Sequence, residues 1–459
     1  MVVLSFRIDW YAPQVTWFPS HTAEFVGCGR VLWDGKRLAR QMLKERWLEM
    51  ERWPEPQDNL ADIVSSEHRK QWSAPDGVAC APATSVLMGE FTDFTGGMSA
   101  VMVHSLEAAV AFSYRTDREV HVRFLQTGSE EDISSADADE LEKAAGTILD
   151  PPVHEDDSPA EWNVSSSLPT DEWAVRLGGV VITMIHRQLL TRDTPGVNVT
   201  VVCDIPPHAG LGRTAAVTSA LAFALNGEPD ERDDAPTRAK LASVAHCAAE
   251  VFTGLMHPRA RFVGCLRGTG EGVNLVDFGD GSLTVAPAIQ DAMVITPALT
   301  RLPEARDNSD RLAWRRTFVS QALKNFGVTT LQQLPDAPAR VGDWLRTVIS
   351  VKGSEGLPTV GAAVGWLTYL GEEATRAHEF AGLLRSRRMD DAFEVFARSA
   401  GPLREFALDE AAAAAPTDIP ARPAAIGRST AMLCLTGYND LPDVPGAHVI
   451  VLRPGTRAH

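Results

Sequence analysis

The chain has 459 residues, is 44% hydrophobic and 22% charged, and carries a formal net charge of −17. That composition excludes general disorder, and its acidity argues against a nucleic-acid partner, because a polyanion rewards a basic face. The length exceeds one ordinary core, so two domains or one elaborated α/β unit are expected.

From the N-terminus, "MVVLSFRIDWYAPQ" has no basic stretch followed by an apolar run, so no secretory leader is expected. Residues 1–75 read as an extension that packs on the main body. Within it, "KRLARQMLKERWLEMERW" places Leu43, Trp47 and Met50 on one face of an amphipathic helix. Tryptophans 10, 17, 33, 47 and 53 in this stretch suggest burial against the body; a contact with a protein partner, or self-association, is the sharper alternative.

Strand-like runs follow in "SAVMVHSLEAAVAFSY" and "REVHVRFLQ", then an acidic, loop-like "TGSEEDISSADADELE" and an exposed Pro/Asp/Ser-rich loop from residue 150. "WAVRLGGVVITMIHRQLL" reads as a helix and "GVNVTVVCDI" as a strand. After a glycine turn, "RTAAVTSALAFALNG" and "TRAKLASVAHCAAEVFTG" read as helices, the second lining one face with Leu241, Val244 and Ala248. "GVNLVDFGDGSLTVAPAI" is a hairpin with Gly-Asp-Gly at its turn. The last third is mostly helical and ends in two short strands. No apolar run of about 18 residues occurs, so neither a transmembrane helix nor a membrane partner is expected. The six cysteines are scattered without a CxxC pair or a His/Cys cluster at metal-ligand spacing, which fits reduced thiols in a cytoplasm.

The chemistry concentrates in "PHAGLGRTAAVTS", residues 207–219. A strand, two glycines and a helix start form a recipe for anion binding. Glycines let the backbone approach phosphate oxygens, and the first helical N–H groups point at the anion. Gly210, Leu211, Gly212, Arg213, Thr214 and Ala215 are the candidate phosphate-binding residues. Thr214 offers a hydroxyl to phosphate or Mg²⁺, and Arg213 a forked cationic donor.

The segment from Pro206 to Ala216 resembles the glycine-loop motif of the GHMP small-molecule kinases, which differs from the Walker P-loop. Upstream, "APATSVLMGEFTDFTGG" at 81–97 is similar to the galactokinase signature APGRVNLIGEHTDYNGG. Weaker similarity extends in order to the C-terminus, leaving the first 75 residues as an addition. The resemblance implies a two-domain α/β GHMP fold with nucleotide and small substrate meeting in a cleft, a first domain at 76–290 and a second at 291–459. It also implies transfer of the ATP γ-phosphoryl group to a hydroxyl, with Mg²⁺ bridging the phosphates.

The departures from the family pattern fall on functional positions. The family's arginine in the signature aligns with Thr84 and its histidine with Phe91, while the carboxylates Glu90 and Asp93 are kept. The catalytic aspartate aligns with His257 by local likeness or with Ala260 by length, and no carboxylate lies between Glu250 and Glu271. Glu250 is the candidate metal-binding glutamate beside Thr214. The sugar-pocket tyrosine corresponds to Leu312 before Arg315 and Arg316, and the third glycine motif keeps only Gly427 and Gly437. The expected substrate set is therefore Glu90, Phe91, Asp93, Thr84 and Leu312, with Thr214, Arg213 and His257 as candidate catalytic residues. A pocket stripped of polar partners discriminates against galactose. Three readings follow: a kinase for a non-galactose sugar or cyclitol-like acceptor in specialised metabolism, a repurposed enzyme that does not use ATP, and a non-catalytic ligand sensor.

Overall fold

The computed structural model describes residues 51–127, 131–149, 172–227, 233–407, 419–436 and 446–459. Residues 36–50 of the expected helix, nearly all of the Pro/Asp/Ser-rich loop from residue 150, and Gly437 lie outside them; the end of that expected helix, Glu51–Arg52, is a short strand held by pairing with His448 and Val449. Residues 49–459 form one compact unit. Among the described residues no helix is long and apolar enough to cross a membrane.

In chain order the elements are β1 (Glu51–Arg52), α1 (Leu60–Gln71), β2 (Gly77–Met88), β3 (Met98–Tyr114), β4 (Glu119–Gln126), β5 (Asp132–Asp137), α2 (Ala138–Leu149), α3 (Trp173–His186) and β6 (Val197–Cys203). Then come α4 (Arg213–Leu225), α5 (Ala235–Thr253), α6 (Arg259–Arg267), β7 (Gly272–Asp277), β8 (Leu283–Pro287) and β9 (Ala292–Thr296). The helices α7 (Ala305–Asn325), α8 (Ala337–Lys352), α9 (Val360–Arg385), α10 (Met389–Arg398) and α11 (Ala400–Ala407) precede β10 (Ala421–Pro423), β11 (Met432–Cys434) and β12 (His448–Leu452).

Two sheets organise these elements. The larger runs β5-β4-β6-β3-β7-β8, with β2 paired along β3; β4 and β6 are parallel and the other pairs antiparallel. The smaller runs β1-β12-β9-β11-β10. Strand β3 is long enough to pair with β6 near one end and β7 near the other, which ties the sheet together. The alternation in "EVHVRFLQ" buries Val120, Val122 and Phe124 on one face of β4, as period-two patterning requires. Strand β6 is buried at every residue because helices cover both faces of the sheet. On the outer face α1 seats Leu60 and Val64 against Cys80, Ala109, Ala111 and Val202. Its His68 is bound between Thr200 Oγ1 and Ser113 Oγ, both at 3.0 Å. On the other face α4 lies against β2 and β3, and its alanines permit the close approach.

The acidic stretch read as a loop at 127–142 instead supplies edge strand β5 and the start of α2. An edge strand needs only one hydrogen-bonded neighbour, and here "DISSAD" pairs with β4 while none of its six residues is fully buried. Tertiary pairing overrides a composition that points to a loop.

Candidate functional site

The glycine turn follows directly from β6. Both Gly210 and Gly212 are left-handed, with φ of +73° and +71°. A Cβ on Gly210 would lie 2.4 Å from the Ala424 carbonyl, and one on Gly212 would lie 2.6 Å from Thr84 Oγ1. Both positions thus demand glycine for conformation and for space. Helix α4 starts at Arg213 without a side-chain cap, so its first N–H groups open toward the turn.

Residues 210–214 form part of the wall of a cleft of about 670 Å³. Glu90, Phe91, Met256, His257 and Leu312 face the same cleft. The sequence-derived candidates that the fold brings together are therefore Gly210, Leu211, Gly212, Arg213, Thr214, Glu90, Phe91, His257 and Leu312. Thr84, Asp93, Ala215 and Glu250 are not among the lining residues.

Each of those four sits behind the wall for a definite reason. Thr84 backs the glycine turn: its N–H donates to Leu211 O at 3.0 Å and its carbonyl accepts from Arg261. Ala215 is buried in the first turn of α4. Glu250 accepts from Arg316 Nη1 at 2.8 Å on one oxygen and pairs with His246 at 3.3 Å on the other. Burial would raise its carboxyl, but His246 and Arg316 outweigh that and hold it at about 2. Asp93 lies within the field of this group, and burial raises it to about 6 against the pull of His246 and Arg316.

Glu90 is a carboxylate of the cleft wall with one unpartnered oxygen. It is 2% exposed, and its Oε2 accepts from Arg422 Nη2 at 2.7 Å. Its Oε1 has no hydrogen-bond partner. The same Arg422 nitrogen reaches Glu373 at 2.9 Å, so one fully buried guanidinium joins β10 to both the signature segment and α9. Burial raises the Glu90 carboxyl to about 7, opposed by Arg422 and Arg261. A carboxylate tuned to neutrality in this way suits proton transfer.

Arg213 is folded onto an aromatic shelf. Phe124 and Trp173 stack at 4.3 Å, and the Arg213 guanidinium lies 5.5 Å from the Trp173 ring centre. Its Nη1 donates to Gln126 Oε1 at 2.9 Å. Phe124, Gln126 and Trp173 line the cleft, and sequence reasoning missed them. Their alternation and apolar character read only as core, and nothing in the local pattern marks them as site residues.

His257 sits between two polar neighbours. Its Nδ1 faces Arg428 Nη1 at 3.3 Å and its Nε2 faces Thr253 Oγ1 at 3.1 Å. Burial, then the charge of Arg428, lowers its pKa well below the usual value. A neutral ring that accepts from Arg428 at Nδ1 and donates from Nε2 satisfies both contacts. With that lone pair engaged, His257 positions Arg428 rather than offering a base.

Five arginines line the cleft, namely Arg176, Arg213, Arg261, Arg301 and Arg428, against the carboxylates Glu90 and Asp132. In a protein of net charge −17 this is a concentrated positive site. The sequence offers Arg261 as a phosphate partner only as the weaker alternative to a surface charge and gives Arg428 no role, since an arginine's burial is invisible there. Phosphates fit the glycine turn, the uncapped helix start and this charge. Thr214 is the lining residue that would face Mg²⁺, whereas the Glu250 carboxylate is committed to His246 and Arg316. Away from the cleft, Cys80, Glu107 and His459, distant in sequence, bring ligand atoms within 4.8 Å of one another.

Residues 177–258 match the family model described as GHMP kinases N terminal domain. The fold is similar to that of Lactococcus lactis galactokinase complexed with galactose, with a TM-score of 0.60 at 13% identity over 87% of this chain and 99% of that one. L. major mevalonate kinase in complex with R-mevalonate aligns with a TM-score of 0.45 at 11% identity, over 84% of this chain and 100% of that one. A D-glycero-D-manno-heptose 1-phosphate kinase from Bacteriodes thetaiotaomicron aligns at 0.44 and 11% identity, over 83% and 98%. No curated protein sequence matches the chain. The architecture is thus the mixed α/β GHMP-kinase fold, with galactokinase as a structural neighbour.

Proposed function

We propose that this chain, which has the fold of the GHMP kinases, is a small-molecule kinase that transfers the γ-phosphoryl group of ATP to a hydroxyl of a non-galactose sugar or cyclitol-like acceptor. The observation that carries the reading is the cleft itself: one cavity is lined by the glycine turn, the uncapped start of α4, and Glu90, whose buried Oε1 has no hydrogen-bond partner among the described residues. Backbone N–H groups of residues 210–214 hold the phosphates, and the Thr214 hydroxyl and Arg213 guanidinium add donors. Glu90 takes the proton of the acceptor hydroxyl as its oxygen attacks phosphorus, and ADP departs carrying the electron pair of the broken P–O bond. Positioning and charge stabilisation supply most of the rate, so a carboxylate other than the family's aspartate can serve. Phe91, Leu312 and Met256 give the acceptor an apolar wall, which disfavours galactose.

A second reading has its own support. Arg213 occupied with Gln126 and the aromatic shelf, together with Glu250 tied to His246 and Arg316, favours a cleft that takes a ligand other than ATP, in a repurposed enzyme or a sensor. Differential scanning fluorimetry with ATP, with and without Mg²⁺, separates the two. A ligand bound only by the native state raises the melting temperature. The kinase reading requires such a shift at millimolar ATP, its reduction in Thr214→Ala, and consumption of ATP with an acceptor panel. Absence of any shift excludes that reading, and binding without turnover supports the sensor.

A further inference from the structure

We propose that the cleft holds a second anion position, centred on Arg428 and separate from the glycine turn, and that the acceptor therefore carries a phosphate monoester. This rests on the kinase reading for the word acceptor, but the position itself does not.

Arg428 follows β10 in a turn whose carbonyl accepts from Leu302 N–H at 2.7 Å, which fixes it beside the start of α7. It lines the cleft, and its Nη1 meets only the His257 ring. Its Nη2 is buried and has no hydrogen-bond partner. A buried guanidinium donor without an acceptor is costly, and such a group persists where a ligand completes it.

The electrostatics point the same way. Burial and then Arg261, with further contributions from Arg176 and Arg301, lower the Arg428 pKa to about 9. The carboxylate that opposes them, Glu250, is already shared by His246 and Arg316. Excess positive charge of this size is matched better by a dianion than by a single carboxylate, and a guanidinium fork fits phosphate oxygens. The residues that position the donor are also built in. Thr253 holds Nε2 of His257, and His257 holds Arg428 Nη1, leaving Nη2 without a partner among the described residues.

Inorganic phosphate is the probe, read by thermal shift on the full chain, alone and with saturating ATP. Phosphate should stabilise the wild type, the shift should persist in the presence of ATP, and Arg428→Gln should weaken phosphate binding by about tenfold or more. Arg428→Lys should keep part of it. Without ligand, Arg428→Gln should melt no lower than the wild type, which shows that lost binding is not lost folding. No phosphate shift, a shift intact in Arg428→Gln, or one abolished by ATP overturns the proposal. If ATP gives no shift while phosphate still depends on Arg428, the kinase reading fails and the anion position stands.

Discussion

Replacing Glu90 by glutamine should make the protein relatively more stable as pH rises from 5 to 8. The wild-type carboxyl is 2% exposed and raised to about 7 from an ordinary 4.5, chiefly by burial. A carboxyl raised on folding gives stability that is complete below about pH 4.5 and is lost as pH climbs through 7. The difference between the two values, at about 1.36 kcal/mol per unit, corresponds to at most about 3 kcal/mol by pH 8. Glutamine carries no such penalty, and its fixed effect on the Arg422 contact is the same at every pH. Subtracting the variant from the wild type also cancels opposing groups: the buried His68 and the half-buried His208, each lowered to about 4, titrate in an overlapping window with opposite sign. Urea denaturation followed by tryptophan fluorescence at pH 5, 6, 7 and 8 gives the required difference. A flat difference would refute the tuning of Glu90. A difference that favours the wild type at high pH would show that Arg422 outweighs burial and that Glu90 is a fixed anion, not a proton acceptor.

Other perturbations test the surrounding framework. Gly212→Ala forces a left-handed alanine and a Cβ 2.6 Å from Thr84 Oγ1, so it should cost about 1–3 kcal/mol in thermal stability and remove any nucleotide shift. Arg422→Ala leaves Glu90 and Glu373 buried without their shared cation and should cost about 3–5 kcal/mol, with Glu90→Gln in the same chain recovering part of it. The His257 ring signals in NMR spectra should not titrate between pH 8 and 6, because burial and Arg428 keep the ring neutral; a midpoint near 6.5 would return His257 to the list of bases. Acidification should destabilise the contact of α1 with the sheet, since the neutral His68 gives stability that is present above about 6.5 and lost toward about 4, and His68→Gln should flatten that trend in hydrogen exchange of α1.

Much of the fold is legible in the chain because local rules and tertiary context agree there. Glycines 210 and 212 occupy positions that need both positive φ and missing volume, so their spacing reports the tight turn between β6 and α4 faithfully. The alternation of β4 and the alanine-rich face of α4 likewise report burial against a sheet. Strand β5 is not legible, because edge pairing tolerates a polar sequence that otherwise reads as loop.

The sequence alone determined the architecture, the glycine turn and the absence of a carboxylate between Glu250 and Glu271, since each depends on backbone conformation or on residue identity. Only the tertiary structure decided which charges meet. Glu250 and Glu90 look alike as glutamates, yet one is paired with both His246 and Arg316 while the other, on the cleft wall, keeps one buried oxygen without a partner. Arg428 lies 171 residues from the histidine that positions it, and Arg422 lies 332 residues from Glu90. Protonation, pairing and desolvation are set by distances across the fold, which no local pattern encodes.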